Sequence, residues 1–328
     1  MPQEQLINNI FKVNSNFETI TAEVFSFQYQ NNKVYHQWCN LINTENSKPE
    51  IRNLNNIPFL PISFYKTHIV TSTLFTPQQI FESSGTTTAI NSQHLVKDIN
   101  IYKTSFLKAF ELFYGEVKDW CVIGLLPSYL ERNNSSLVMM VDEMIKLSNN
   151  PKSGFYLNEF DKLKAILTEL ENANQKTLLI GVTFGLLDFA EKYTMQLKHT
   201  VVMETGGMKG RRRELTRSEV HSFLKENLGV TEVHSEYGMT ELLSQAYSKS
   251  NGRFVCPPWM KVLVRGEEDP LQISLSGKGI LNVIDLANIY SCSFIATDDA
   301  GIVYEDGSFE VIGRVDNSDI RGCSLLVV

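Results

Sequence analysis

At 328 residues, 43% of them hydrophobic and 10% aromatic, the chain can bury a substantial core and carries no disordered or low-complexity signature. Its net charge of −7 argues against nucleic acid or an anionic lipid surface as a partner, and no stretch reaches the roughly 20 apolar residues of a membrane span. The start Met1-Pro-Gln-Glu-Gln-Leu is no secretory signal, and the scattered Cys39, Cys121, Cys256, Cys292 and Cys323 form no Cys-x-x-Cys pair. These features predict a reducing, cytoplasmic setting without disulfides or structural zinc.

Residues 17–42 carry apolar side chains at three- and four-residue spacing and predict one long helix. The Asn- and Pro-rich 53–61 reads as a loop, and Ile62–Tyr65 and Val70–Phe75 as short strands. Beyond the polar run Phe81-Glu-Ser-Ser-Gly-Thr-Thr-Thr the pattern alternates. Helices are expected over 98–114, 135–147, 158–170, up to Tyr193, and over 216–228, where Gly229 ends the last one. Apolar runs at 121–126, 177–182 and 200–203 suit buried strands. Such alternation predicts an α/β fold with a largely parallel sheet. From about Trp259 short runs punctuated by Gly and Asp (260–264, 271–275, 280–284, 293–297, 302–304 and 309–312) predict an all-β subdomain. The expected division is therefore an α/β core over 1–258 and a β-rich subdomain over 259–328.

Three places carry residue types suited to chemistry. The first is Ser84-Gly85-Thr86-Thr87-Thr88, whose small residues and hydroxyls can wrap an anion, or simply make a turn or helix cap. It is not a Walker loop, since no Gly-Lys-Ser/Thr follows. The second is Tyr237-Gly238-Met239-Thr240-Glu241. An aromatic can stack on a purine, a threonine can bond phosphate, and a carboxylate is a hard ligand for Mg²⁺. The alternative is a strand end followed by a helix whose first turn holds Thr240 and Glu241. The third is Thr297-Asp298-Asp299 with Gly313-Arg314-Val315-Asp316 downstream, either a ribose and phosphate contact or a hairpin turn and a surface ion pair. The basic run Lys209 to Arg213 reads as a solvated loop or as a face for polyphosphate or an acidic protein.

In this order the three motifs resemble those of the adenylate-forming superfamily (acyl-CoA synthetases, firefly luciferase, peptide-synthetase adenylation domains), over roughly residues 81–322. The resemblance implies that superfamily's N-terminal core, of mixed and parallel sheets flanked by helices, followed by the small β subdomain. By it, Ser84 to Thr88 grip the ATP phosphates, Tyr237 stacks on adenine beside Gly238, and Thr240 touches phosphate. Glu241 holds Mg²⁺, Asp299 binds ribose, Arg314 lies near the nucleotide at a hinge, and Gly206-Gly207 is the glycine loop lining the pocket. A narrower likeness is to acyl-protein synthetases of the LuxE type, carried by Leu126-Pro-Ser-Tyr-Leu-Glu-Arg, Val202-Met-Glu-Thr-Gly-Gly-Met-Lys-Gly-Arg and Arg321-Gly-Cys-Ser. Those enzymes activate a fatty acid as its AMP ester, move the acyl group to a cysteine near their C-terminus, and hand it to a reductase. Cys323 stands at the matching place.

Some positions depart from the superfamily pattern. Thr88 stands where Gly is usual, Asp298 replaces the Gly of Thr-Gly-Asp, and no Lys follows the phosphate loop within the next few residues. The chain ends soon after the hinge motif, which predicts that the C-terminal lid domain and its lysine are absent. The resulting expectation is an acyl-adenylate-forming ligase using ATP and Mg²⁺, with a long-chain fatty acid as substrate and a protein thiol as acceptor, for which Cys323 is the candidate. The partner implied is an acyl-accepting protein such as a reductase or carrier. The alternatives are a ligase using coenzyme A and an inactive nucleotide-binding scaffold. Apolar residues around 122–126, 137–141 and 184–187 suit either an acyl tunnel or ordinary core. His234, near the second motif, reads as structural.

Overall fold

The computed structural model describes residues 3–12, 15–42, 53–83, 90–126, 133–206 and 215–315. Three helices come first, α1 (Gln3–Ile10), α2 (Phe17–Asn31) and α3 (Lys33–Ile42). The single helix expected over 17–42 is broken at Asn32, whose backbone is extended at φ −99°, ψ 105°. Its buried side chain accepts from the Tyr35 N–H at 3.0 Å, capping α3, and donates to the Ser291 carbonyl at 2.8 Å. Those two bonds outweigh helical continuity, because an N-cap residue must leave helical geometry.

β1 (Leu60–Pro61) falls at the end of the stretch expected as a loop, and α4 (Phe64–Thr67) takes the place of a strand expected over 62–65. Within 62–75 only Ser72 bridges, to Asn32. The Lys66 N–H bonds the Ser63 carbonyl and the His68 N–H that of Phe64, closing a helical turn that carries Tyr65 inward. β2 (Gln79–Glu82) and β3 (Gln93–Val96) then form an antiparallel hairpin.

α5 (Ile99–Tyr114) starts at the cap Asp98 and buries Tyr102, Phe106 and Phe110. Strand and helix then alternate: β4 (Cys121–Leu125), α6 (Ser136–Ser148), β5 (Gly154–Phe155), α7 (Phe160–Asn172), β6 (Thr177–Val182), α8 (Thr183–Lys192), β7 (Thr200–Thr205), α9 (Arg217–Leu228), β8 (Val233–Tyr237) and β9 (Ala246–Ser248). The sheet order is β5-β4-β6-β7-β8-β9, parallel except for β9. Strand alternation separates two cores. Val122, Leu178 and Ile180 face α5 and α6, while Ile123, Leu179 and Val202 face α7, α8 and α9. α9 has a full capping box between Thr216 and Glu219 and ends at Gly229 with φ 66°.

The second sheet is built from β10 (Arg253–Phe254), β11 (Met260–Arg265), β12 (Ile273–Ser274), β13 (Gly277–Asp285), β14 (Phe294–Val303) and β15 (Phe309–Arg314). Its order is β10-β15-β14-β13-β11-β12, antiparallel, with β1 added in parallel on β14. The runs at 293–297 and 302–304 are one strand, bulged in its middle. Among the described residues, no helix is long and apolar enough to cross a membrane.

Candidate functional site

The carboxyl ends of β6, β7 and β8 open toward β14, and between them lies a cavity of about 480 Å³. Open parallel sheets place ligands at this end of their strands. Residues at the strand ends, Val182, Thr205, Gly206 and Gly238, form one wall, and Thr297, Asp298 and Asp299 form another. The described lining is strongly acidic, with Glu82, Glu236, Glu241, Asp298 and Asp299 against Lys66 and Arg314.

After β8 the chain does not enter a helix. The Leu242 N–H bonds the Met239 carbonyl, and residues 238–245 run as a turn and loop into β9. Neighbouring elements hold this loop at successive points. The Thr240 carbonyl meets Nδ1 of His94 on β3 at 2.9 Å, and the Glu241 carbonyl accepts from Asn288 Nδ2 at 2.7 Å. Asp285 at the end of β13 accepts from the N–H groups of Leu243 and Ser244 and from the Ser244 hydroxyl. Burial pulls the His94 imidazole down to about 4, only partly offset by the Thr240 carbonyl. The ring is therefore neutral, with its proton on Nδ1 and its Nε2 facing the Ser291 hydroxyl at 3.0 Å. Asp285, fully buried, is pushed up to about 6 by burial despite its donors. Thr240 and Glu241 thus hang between hairpin and second sheet on a nearly rigid frame.

The Glu241 side chain is 5% exposed and lines the cavity. Burial raises its pKa, while a hydrogen bond from Ser92 and the charges of Arg314 and Lys66 oppose the rise. Ser83 and Ser92 also line the cavity and bond each other at the base of the hairpin loop.

Asp298 and Asp299 sit neither at a strand end nor in a hairpin turn. In the β13–β14 ladder Ile280 pairs with Ala300 and Asn282 with Ala296, so residues 297–299 bulge opposite Leu281. A bulge re-aims side chains, and this one turns both carboxylates to the cavity. Asp299 meets Arg314 Nε at 3.3 Å and accepts from the Tyr237 hydroxyl at 2.8 Å. The Tyr237 ring packs against Phe254 and Phe309 and is not part of the cavity lining, so its contribution passes through Asp299.

Glu236, buried in the same wall, accepts from the Thr205 hydroxyl and is pushed up to about 7 by burial, with Glu204 adding to the rise. A Cβ on Gly238 would lie 2.4 Å from Glu236 Oε1, so only glycine leaves that carboxyl its place. Gly206 has φ 73°, and its carbonyl accepts from Thr183 Oγ1 at 2.7 Å. Gln245 Oε1 is buried at this wall without a partner among the described residues. Tyr102, Leu126, Val138, Met140 and Val182 supply the apolar side. From the expected tunnel segments, Leu126 and residues 137, 138 and 140 reach the cavity, whereas Leu186 and Leu187 pack in the outer core.

Ser84, Gly85, Thr86, Thr87, Thr88, Gly207, the basic run 209–213 and Cys323 lie outside the described residues. The remaining expected positions divide clearly. Gly206, Gly238, Thr240, Glu241, Asp299 and Arg314 share the cavity, and Tyr237 stands one residue back. His234 faces Tyr114, with its Nδ1 3.1 Å from the hydroxyl, and burial holds its pKa down at about 4. Lys66, His94, Glu236, Asp285 and Asn288 were not anticipated. Only Glu236, inside the second motif's strand, had a sequence signal near it.

No group of three or more His, Cys, Asp or Glu side chains among the described residues could hold a metal ion by itself. Glu241, a buried carboxylate on the cavity, is a donor of the kind that suits Mg²⁺, an ion that keeps several waters and binds through one or two carboxylates plus substrate phosphates. The unpartnered Gln245 oxygen and the Asp299 carboxylate are acceptors of the kind that ligand hydroxyl or amino groups require.

Residues 12–328 match the family described as acyl-protein synthetase, LuxE. The chain is 23% identical over 94% of its length to a long-chain-fatty-acid–luciferin-component ligase of Aliivibrio fischeri, covering 86% of that protein. A ligase of the same description from Vibrio harveyi is 22% identical, covering 92% of this chain and 84% of the relative. The fold is similar to O-succinylbenzoate coenzyme A synthetase of Bacillus subtilis in complex with ATP and magnesium ion, at TM-score 0.50 and 16% identity. That match covers 72% of this chain, which spans about half the length of the synthetase (49%).

Proposed function

The chain belongs to the LuxE acyl-protein synthetase family, and from that premise we propose that it activates a long-chain fatty acid with ATP and passes the acyl group to a protein thiol. Two ligases similar in sequence carry that substrate in their description. The observation that carries the reading is the meeting of Glu241, Asp299 and Arg314 with an apolar wall around one cavity. A nucleotide needs the first three, and an acyl chain needs the last.

In the first step a carboxylate oxygen of the acid bonds the α-phosphorus of ATP, and the bond to the bridging oxygen breaks. Pyrophosphate leaves with that electron pair. Asp299, held by Tyr237 and Arg314, accepts from the ribose hydroxyls, and the Gln245 oxygen accepts a further donor of the bound substrate. Thr240 bonds a phosphate oxygen, and Gly206 lets the backbone approach the nucleotide. Mg²⁺, when bound through Glu241, supplies positive charge for the phosphates. In the second step a thiolate, its proton lost to solvent, attacks the acyl carbon and AMP departs.

Cys323 is proposed as that thiol. The other four are poor nucleophiles: burial pushes Cys39 and Cys256 up to about 12 and raises Cys121 and Cys292 as well. The testing experiment is exchange of labelled pyrophosphate into ATP with saturated acids of increasing length. Exchange that peaks with long chains is expected, and its absence for every acid would overturn the reading. Intact mass after ATP and acid should reveal a hydroxylamine-labile adduct that Cys323→Ser removes without loss of exchange. Release of AMP that requires coenzyme A and ignores this substitution would instead assign a coenzyme A ligase.

A further inference from the structure

We propose that Lys66 is a catalytic residue of this site, supplying from α4 the cation that meets the β- and γ-phosphates of ATP. The inference rests on the adenylating function proposed above. Among the described lining residues only Lys66 and Arg314 are cationic, and Arg314 is engaged by Asp299. Lys66 has no ion pair within 4 Å among the described residues, yet it is close enough to Glu241 for its charge to favour that carboxylate. The phosphates of ATP, entering a cavity with five acidic side chains, gain from a positive charge beside them even when Mg²⁺ is bound, and among the described lining residues the ammonium of Lys66 is the one not already paired.

The backbone beneath Lys66 is built to hold it at this rim. β1 pairs in parallel with Ile295 and Ala296, directly before the Asp298-Asp299 bulge, and the Ile62 N–H adds a further bond to the Ala296 carbonyl at 2.9 Å. Tyr65, 2% exposed, drops between β14 and β3. Its hydroxyl lies 3.3 Å from the Cys292 N–H, and its ring stands edge-on to His94 at 5.7 Å. That same imidazole holds the Thr240 carbonyl. One buried tyrosine therefore fixes the turn carrying Lys66 relative to both the bulge and the Thr240–Glu241 loop, while the lysine itself stays exposed and free to reach. As the α–β bridge breaks, negative charge accumulates on the departing pyrophosphate, and an ammonium in contact with it stabilises the leaving group more than the ground state.

The test compares wild type, Lys66→Ala and Lys66→Arg by acid-dependent pyrophosphate exchange and by binding of ATP and of AMP. A lost charge-assisted contact predicts that K66A weakens ATP binding about 10- to 100-fold and slows exchange at least as much. AMP, which lacks the two outer phosphates, should bind within about twofold of wild type, and K66R should recover most of the exchange. Equal loss of ATP and AMP binding would mark Lys66 as structural and overturn the proposal, as would unchanged exchange in K66A. A wild type that binds ATP but exchanges with no acid would overturn the adenylating function itself, and the role of Lys66 with it.

Discussion

His94 Nδ1 and the Thr240 carbonyl oxygen stand 2.9 Å apart, although 146 residues separate them. This bond joins the β2–β3 hairpin to the loop bearing Glu241. Replacing His94 with alanine leaves a buried carbonyl unpaired and a void beside Tyr65, so a loss of about 3 kcal/mol is expected in denaturant unfolding. Exchange should fall with it, by roughly tenfold or more, since misplacement of a catalytic group is costly. His94→Asn, whose Nδ2 can take the place of Nδ1, should keep the larger share of both. Equal damage in the two variants would show that volume, not the hydrogen bond, matters.

The same imidazole sets a pH limit. Its folded pKa is about 4, below the ordinary 6.5 or so, so the unfolded chain binds the extra proton first. The contribution is complete above pH 6.5 and drains away as pH falls toward 4. The stability gap between wild type and His94→Asn should narrow over that window, which urea titrations at stepped pH can follow.

Glu236 has the opposite sign. Burial raises its pKa to about 7, so the folded protein holds the proton longer and loses stability as pH climbs from about 4.5 to 7. Glu236→Gln keeps an acceptor for Thr205 and removes the charge. Its advantage over wild type should grow through that interval and level off above pH 7 at about 3 kcal/mol. A constant difference across pH would mean that Glu236 never ionises differently in the fold.

Glu241 should separate activity from stability. Burial already disfavours its carboxylate, so Glu241→Gln costs the fold little and leaves the melting temperature within a few degrees of wild type. Exchange should nevertheless drop about 100-fold or more if this carboxylate carries Mg²⁺. Retained exchange would remove Glu241 from the metal's coordination.

Gly238→Ala forces a methyl into the space of Glu236 Oε1. A penalty of about 1–3 kcal/mol is expected. Glu236→Asp withdraws the carboxyl, so the double variant should recover part of that loss, a coupling a double-mutant cycle measures.

The strand–helix alternation between residues 98 and 228 could be read from the sequence because β4 and β6 are continuous apolar runs and α9 carries its own cap and stop. Thr240, Glu241, Asp299 and Arg314 stood out through the order of their motifs and its resemblance to the adenylate-forming superfamily, since by residue type each also fitted a turn or a surface ion pair. The break at Asn32 could not be read, since its cause is Ser291, far along the chain. The turn at Tyr65 depends likewise on Cys292 and His94. The bulge at 297–299 arises from register against β13, which no local pattern encodes. His94, Asp285 and Lys66 were silent because each acts through a backbone or a charge that only the fold brings near.

The N-terminal segment is secured by the chain's last third. Gln28 donates to the carbonyls of Asn288 and Ile289, Asn32 to that of Ser291, and Leu60 pairs with Ile295. Those partners follow 235 to 261 residues later in the chain, which at about 5–20 residues per second of synthesis is a delay of roughly 10 to 50 s. Throughout it, Val24, Phe25 and Tyr35, all at most 3% exposed in the finished protein, have no core to enter. A nascent chain released before residue 296 keeps the apolar faces of its first helices uncovered and lacks the Asp298–Asp299 wall of its cavity.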